Sequence, residues 1–245
     1  MLPLREVRLE FPEPQPNRYP WNLPALQHLD ALAFQTTVTF LIGDNGSGKS
    51  TFLESVAEAA GFNPEGGSRN ASYNAAHTDT HLAQGLRLVW NRKALSGFFF
   101  RAESFFAYAN YLEEIGGFSS YGGRSLHHQS HGESFLSLFR NRLNPRSPSL
   151  YLFDEPESAL STTGQFAFIR LLKEWANSGR AQVIVATHSP ILLAFPGATI
   201  YSFDYAPVMP IGYAESKPYQ LTRAFLDAPE AFLHELFRRE DESEF

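Results

Sequence analysis

The stretch Gly43-Asp44-Asn45-Gly46-Ser47-Gly48-Lys49-Ser50 constrains this chain more than any other, because its glycines stand where a loop must wrap backbone N–H groups around phosphate. Its context fits that chemistry. Residues 36–42, rich in β-branched side chains, predict a buried strand directly before it. After it, Phe52, Leu53, Val56, Ala57 and Ala60 recur at helical spacing with Glu54 and Glu58 opposite, predicting a helix over 49–60 that Gly61 closes. Strand, glycine loop and helix together predict a phosphate cradle formed by Gly43, Asn45, Gly46, Ser47 and Gly48. In it Lys49 neutralises the β and γ phosphates, Ser50 ligates Mg²⁺ and Thr51 adds a contact to the α-phosphate. An ordinary glycine turn before a helix is the bland alternative, and the flanking elements weigh against it.

A length of 245 residues with 43% apolar content supplies a sizeable core for one domain with a smaller lobe attached. No stretch approaches the roughly 20 apolar residues of a membrane-spanning helix, and residues 1–8 lack the apolar core of a signal peptide. The expectation is a soluble, cytoplasmic protein without direct membrane insertion. The chain has no cysteine, which excludes disulfides and thiolate metal sites. A net charge of -6 leaves a nucleic-acid partner possible but unsupported. The acidic run 240–244 reads as a solvated end.

Strand-like alternation over 4–11 stops at Pro12, Pro14 and Pro16. Residues 62–81, rich in Gly, Asn, Ser and Ala, predict a surface loop. Strands follow over 86–90 and 97–101, then a helix over 104–115 before Gly116 and Gly117. A helical lobe spans 104–148, and the core lobe comprises 1–103 and 149–245. The apolar run 149–153 and residues 182–186 read as central strands. Between them, 165–177 reads as a helix with Phe166, Ile169, Leu172 and Trp175 on one face and Gly179 beyond its end. Such alternation predicts an α/β fold around a largely parallel central sheet.

Three further motifs carry chemistry. Residues 150–155 form an apolar strand ending in two carboxylates, a Walker B element that places Asp154 near Mg²⁺ and Glu155 beside an attacking water as catalytic base. Residues 183–190 set His188 directly after a central strand, within reach of a γ-phosphate as a hydrogen-bonding sensor. Ser130-His131-Gly132-Glu133-Ser134 precedes a helix over 135–141. A capping box explains Ser130 and Glu133, and a capped helix start is also an anion site.

With these four elements in this order, the chain resembles the ATP-binding-cassette (ABC) ATPases over nearly its whole length. The resemblance implies the ABC-ATPase variant of the P-loop NTPase fold, ATP and Mg²⁺ as cofactors, and ATP hydrolysis. It also implies an ATP-dependent homodimer in which Ser130 and Gly132 of one copy reach the γ-phosphate held by the other. The Ser-His-Gly-Glu wording, the Asp-Glu-Pro-Glu run at 154–157 and the Thr-His-Ser-Pro run at 187–190 look like the soluble, non-transporter branch that includes SMC and RecF-like proteins. Residues 100–106 and Arg18-Tyr19-Pro20 look like compact predicted ATPases.

Two departures from the family pattern stand out. Its usual glutamine before the helical lobe is missing. Arg101 and Glu103 stand there instead, and Glu103 is a candidate Mg²⁺ ligand while Arg101 suits an ion pair. Ser161 occupies the position where an aspartate is expected. Tyr19 or Arg18 is a candidate for stacking on the base. His127, His128 and His131 lack a tetrahedral ligand set, so Mg²⁺ and no zinc is expected.

The leading expectation is a stand-alone ATPase whose closing and opening dimer signals to an unidentified protein partner. The second is the ATP-binding subunit of a membrane transporter, and the third a DNA-maintenance or defence regulator, hinted at by Arg140, Arg142 and Arg146.

Overall fold

The computed structural model describes residues 1–10, 19–64, 66–68, 82–103, 139–141 and 143–243. In chain order its strands are β1 (Leu4–Leu9), β2 (Ala31–Ala33), β3 (Val38–Ile42), β4 (Leu86–Trp90), β5 (Ser96–Arg101), β6 (Ser149–Asp154), β7 (Ala181–Ala186), β8 (Thr199–Ser202) and β9 (Met209–Ile211). Its α-helices are α1 (Pro24–Gln27), α2 (Lys49–Ala59), α3 (Thr162–Asn177), α4 (Pro190–Leu193), α5 (Lys217–Asp227) and α6 (Pro229–Ser243).

Side chains alternate across a strand, and here both faces are apolar. Phe98, Phe100, Tyr151, Phe153, Val183 and Val185 face one core with Phe168, Leu172 and Trp175 of α3. Phe99, Leu150, Leu152, Ile184 and Ala186 face the other with Phe52, Leu53 and Val56 of α2. The result is a six-stranded sheet ordered β5-β6-β7-β3-β8-β9, parallel except for the antiparallel edge strand β9. A separate antiparallel sheet, β2-β1-β4, covers the α2 side. Fully buried Gln182 joins the two sheets: its amide donates to Leu4 O at 3.0 Å and accepts from Leu4 N at 2.8 Å.

The predicted α/β fold with a largely parallel central sheet is the fold observed. Three expectations change in detail. The helix predicted over 165–177 begins at Thr162, because Ser161 caps it by accepting from Gly164 N at 3.2 Å. Phe166 is 55% exposed and off the buried stripe of Phe168, Leu171, Leu172 and Trp175. Steps of three residues lag a helical turn, so positions 166 and 175 lie about 180° apart. The strand expected from Thr36 starts at Val38, while Thr36 Oγ1 donates to Val38 O at 2.7 Å.

Past Pro190, where periodicity assigns no element, the chain adds α4, β8, β9, α5 and α6. Of the helical lobe expected over 104–148, residues 104–138 and 142 lie outside the described residues, while Phe139, Arg140 and Asn141 are helical. Among the described residues no helix is long and apolar enough to cross a membrane.

Candidate nucleotide site

Register brings the predicted residues together. Arg101 on β5 pairs with Asp154 on β6, Asp154 with Ala186 on β7, and Ala186 with Leu41 on β3. The residues that follow these strand ends therefore converge at one edge of the sheet, where ligands of open parallel sheets bind. They are Glu155, Thr187-His188 and Gly43.

The glycine loop has the geometry of an anion cradle. Gly43 has φ +153°, and a Cβ there would lie 2.6 Å from Ser47 Oγ. Gly48 precedes α2 at φ +100°, where a Cβ would press on Leu23. The first turn of α2 leaves its N–H groups without intrahelical acceptors, and Ser47 Oγ is buried without a hydrogen-bond partner among the described residues. Lys49 is buried, its Nζ held 2.8 Å from Gly43 O and 3.1 Å from Asp44 O. Burial lowers its pKa, opposed by Glu155, Asp154, Asp204 and Asp44. Beside it lies a cavity of about 150 Å³ lined by Tyr19, Leu23, Asn45, Gly46, Gly48, Lys49, Ser50, Thr51 and Glu155. The Tyr19 hydroxyl bonds Thr51 Oγ1 at 2.9 Å, so the aromatic candidate stands at this loop.

Ser50 Oγ donates to Asp154 Oδ1 at 2.9 Å, pairing the two oxygen ligands expected for Mg²⁺. One carboxylate and one hydroxyl suit an ion that takes its other ligands from phosphate and water. No group of three His, Cys, Asp or Glu side chains able to hold a metal occurs among the described residues. Burial pushes the Asp154 carboxyl up to about 6, against the Ser50 hydrogen bond and the Arg101 charge.

Arg101 points its guanidinium between α2 and β6, 3.5 Å from Glu54 and 3.8 Å from Asp154, and 3.7 Å from exposed Glu103. The ion-pair role is the one the structure displays, and Glu103 reaches that cluster only through Arg101. Arg101→Leu removes the cation that two largely buried carboxylates face. It is expected to destabilise the fold by about 2–4 kcal/mol, read as a lower denaturation midpoint. Glu103→Gln is expected to change it by less than about 0.5 kcal/mol. A loss of Mg²⁺-dependent turnover in Glu103→Gln would instead make Glu103 a ligand.

Glu155 has φ 48° and ψ 52°, the left-handed region, at a cost of about 1–3 kcal/mol for a residue with a side chain. Its N–H donates to Ala186 O at 2.9 Å, and its carbonyl accepts from Ser158 N at 3.1 Å and Ser158 Oγ at 2.8 Å. Its half-exposed carboxylate lies 3.7 Å from His188 Nε2. Burial and then Lys49 lower the His188 pKa, so the imidazole is neutral at pH 7.

These strands and loops have the arrangement of a known group. A family profile described as "AAA domain, putative AbiEii toxin, Type IV TA system" matches residues 134–194. The cytochrome c biogenesis ATP-binding export protein CcmA of Rhodopseudomonas palustris (strain HaA2) is 30% identical over 164 residues, covering 62% of this chain and 78% of that protein. The chain belongs to the ABC-type ATPases. Another relative of this ABC-type ATPase is the hemin import ATP-binding protein HmuV of Bartonella quintana (strain Toulouse), 25% identical over 63% of this chain and 67% of that protein. A metal-chelate type ABC transporter solved in an inward-facing conformation shares the fold, with TM-score 0.53 and 16% identity over 91% of this chain and 88% of that one. Export and import proteins among its relatives lean away from the SMC- and RecF-like branch that the Ser-His-Gly-Glu wording favoured.

The ABC-type ATPase site contains residues that motif reading missed. Glu157, largely buried, accepts from His188 N at 2.6 Å and ties the Walker B turn to the histidine loop. Asp204 Oδ1 accepts from Asp44 N at 2.7 Å, and Lys217 Nζ donates to Asp44 Oδ2 at 2.6 Å. The only sequence signal among these is the second acid of Glu155-Pro156-Glu157. Ser130, Gly132, Glu133, Arg18, Arg142 and the histidines 127, 128 and 131 lie outside the described residues.

Proposed function

We propose that this chain is the ATP-hydrolysing, ATP-binding subunit of a membrane transporter, working as a pair of copies. The convergence of Lys49, Ser50, Asp154, Glu155 and His188 at one sheet edge supports ATP hydrolysis, and the export and import relatives support the transport setting.

In the proposed cycle the loop N–H groups, with Asn45, Ser47 and Thr51, hold the triphosphate while Lys49 neutralises the β and γ phosphates. Tyr19 packs beside the base. Ser50 and Asp154 hold Mg²⁺, with Glu103 a further candidate, and the ion supplies charge neutralisation when bound. Glu155 orients the attacking water and takes its proton as the bond between the β–γ bridging oxygen and the γ-phosphorus breaks. Neutral His188 donates to a γ-phosphate oxygen. Residues 104–148 form the helical lobe, whose Ser130 and Gly132 complete the site held by the other copy, so ATP closes the pair and hydrolysis opens it.

Light scattering on the Glu155→Gln protein tests this arrangement. Mg-ATP is expected to shift its mass from monomer towards dimer, and a mass indifferent to bound ATP would mean either that the pair is constitutive or that Ser130 and Gly132 do not act in trans. Affinity purification from detergent-solubilised membranes tests the setting, with a polytopic membrane protein as the expected companion. A second reading, the stand-alone switch, draws on the AAA-domain profile over 134–194 and predicts ATPase activity with no such companion.

A further inference from the structure

We propose that Asp204, on the segment that leaves β8, is a positioning residue for the phosphate loop: it orients the peptide between Gly43 and Asp44, whose carbonyl holds Lys49. The proposal rests on the nucleotide reading given above and adds a residue which that reading does not use. A single peptide unit links Asp204 to the lysine. Asp44 N donates to Asp204 Oδ1 at 2.7 Å, and the carbonyl of the same unit, Gly43 O, accepts from Lys49 Nζ at 2.8 Å. The unit is trans, so its N–H and C=O point in opposite directions. A hold on the N–H therefore aims the carbonyl at the lysine. Gly43, at φ +153° and without a Cβ, does not set that orientation by its own sterics.

The place of Asp204 does not depend on its carboxylate. Phe203 N donates to Ile42 O at 2.7 Å, which prolongs the pairing of β8 with β3, and buried Phe203 packs on Phe52 of α2 with ring centroids 5.5 Å apart. The backbone thus stands beside the loop whatever the side chain does. Neither Asp204 nor Lys217 lines the cavity beside Lys49, so both act through Asp44. The carbonyl of Asp44 accepts from Ser47 N and from Lys49 Nζ, each at 3.1 Å, and its carboxylate accepts from Lys217 Nζ at 2.6 Å. Of the two side chains that reach Asp44 from beyond β8, Asp204 carries the larger share. The Lys217–Asp44 pair joins side chains that are 53% and 71% exposed, where water and salt screen it. The Asp204 bond is charge-assisted and grips backbone, which has no rotamer freedom to lose.

Equilibrium titration of the full chain with Mg-ADP tests this role. Asp204→Ala is expected to weaken binding about tenfold and to raise KM for ATP by a similar factor, with kcat lowered less than about threefold. Asp204→Asn keeps an acceptor oxygen and removes the charge, which opposes the lowering of the Lys49 pKa by burial. It is expected to bind Mg-ADP within about threefold of wild type. Lys217→Ala is expected to weaken binding only about twofold at physiological salt. An asparagine variant as weak as the alanine variant overturns the proposal, because the effect would then belong to charge. A loss in Lys217→Ala as large as in Asp204→Ala also overturns it, because the hold would then lie on the Asp44 side chain. A wild-type chain that binds no Mg-ADP overturns the nucleotide reading itself. Wild-type binding that Asp204→Ala leaves unchanged overturns only the role of Asp204.

Discussion

Replacing Glu155 with glutamine is expected to lower ATP turnover by roughly 10²–10⁴-fold and to leave Mg-ATP affinity within about threefold. Glutamine keeps the shape of the side chain, and it removes the negative charge together with the capacity to accept a proton. Folding is expected to be unaffected, because the carboxylate is half exposed and its 3.7 Å approach to His188 is longer than a hydrogen bond. The strained backbone at φ 48° is the same in both proteins, fixed by Ala186 O and Ser158. Phosphate release at saturating ATP gives the first quantity and equilibrium nucleotide binding the second. Turnover within tenfold of wild type would take the base assignment away from Glu155.

Asp154→Asn is expected to abolish Mg²⁺-dependent turnover while making the nucleotide-free, Mg²⁺-free protein more stable at pH 7.5. Burial raises the carboxyl from the ordinary 3.8 to about 6. The folded protein therefore binds this proton more tightly than the unfolded chain does. Stability from this group is fully present below pH 4 and is lost as pH rises through 6, at a cost of about 3 kcal/mol for the ionised state. Asparagine carries no charge to bury, and because the value of about 6 already includes the opposing pull of Arg101, the expected net gain is up to about 3 kcal/mol. Denaturant midpoints at pH 4 and 7.5 check both parts: the variant gains at 7.5 and loses pH sensitivity between 4 and 6. A variant less stable at pH 7.5 would mean that the Arg101 pair outweighs burial. In the proposed nucleotide complex, Mg²⁺ beside Asp154 would favour the ionised carboxylate and offset the same cost.

The parts of the site written as local patterns were legible in sequence. Residues 43–51, 150–155 and 183–188 each couple an apolar strand to the polar residues that follow it, so strand ends and chemistry are read together. What escaped notice depends on distant pairs. Asp204 and Lys217 meet Asp44 from 160 and 173 residues away, and Gln182 meets Leu4 from 178 away. No periodicity encodes such meetings, which follow from sheet order. Phe166 misled for a geometric reason, since three-residue spacing drifts round a helix. Helices α5 and α6 went unassigned because their apolar residues, exposed in the fold, are diluted by charge.

The amide of His188 and the carboxylate of Glu157, 2.6 Å apart, join two loops that arise from different strands. Glu155 is two residues from one end of that link, and the imidazole belongs to the other end. That hydrogen bond couples the loop that carries the acid to the loop that carries the histidine. In the proposed cycle, a neighbouring protein that displaces either loop is expected to disturb the other, and so to alter the rate of hydrolysis without any contact to the nucleotide.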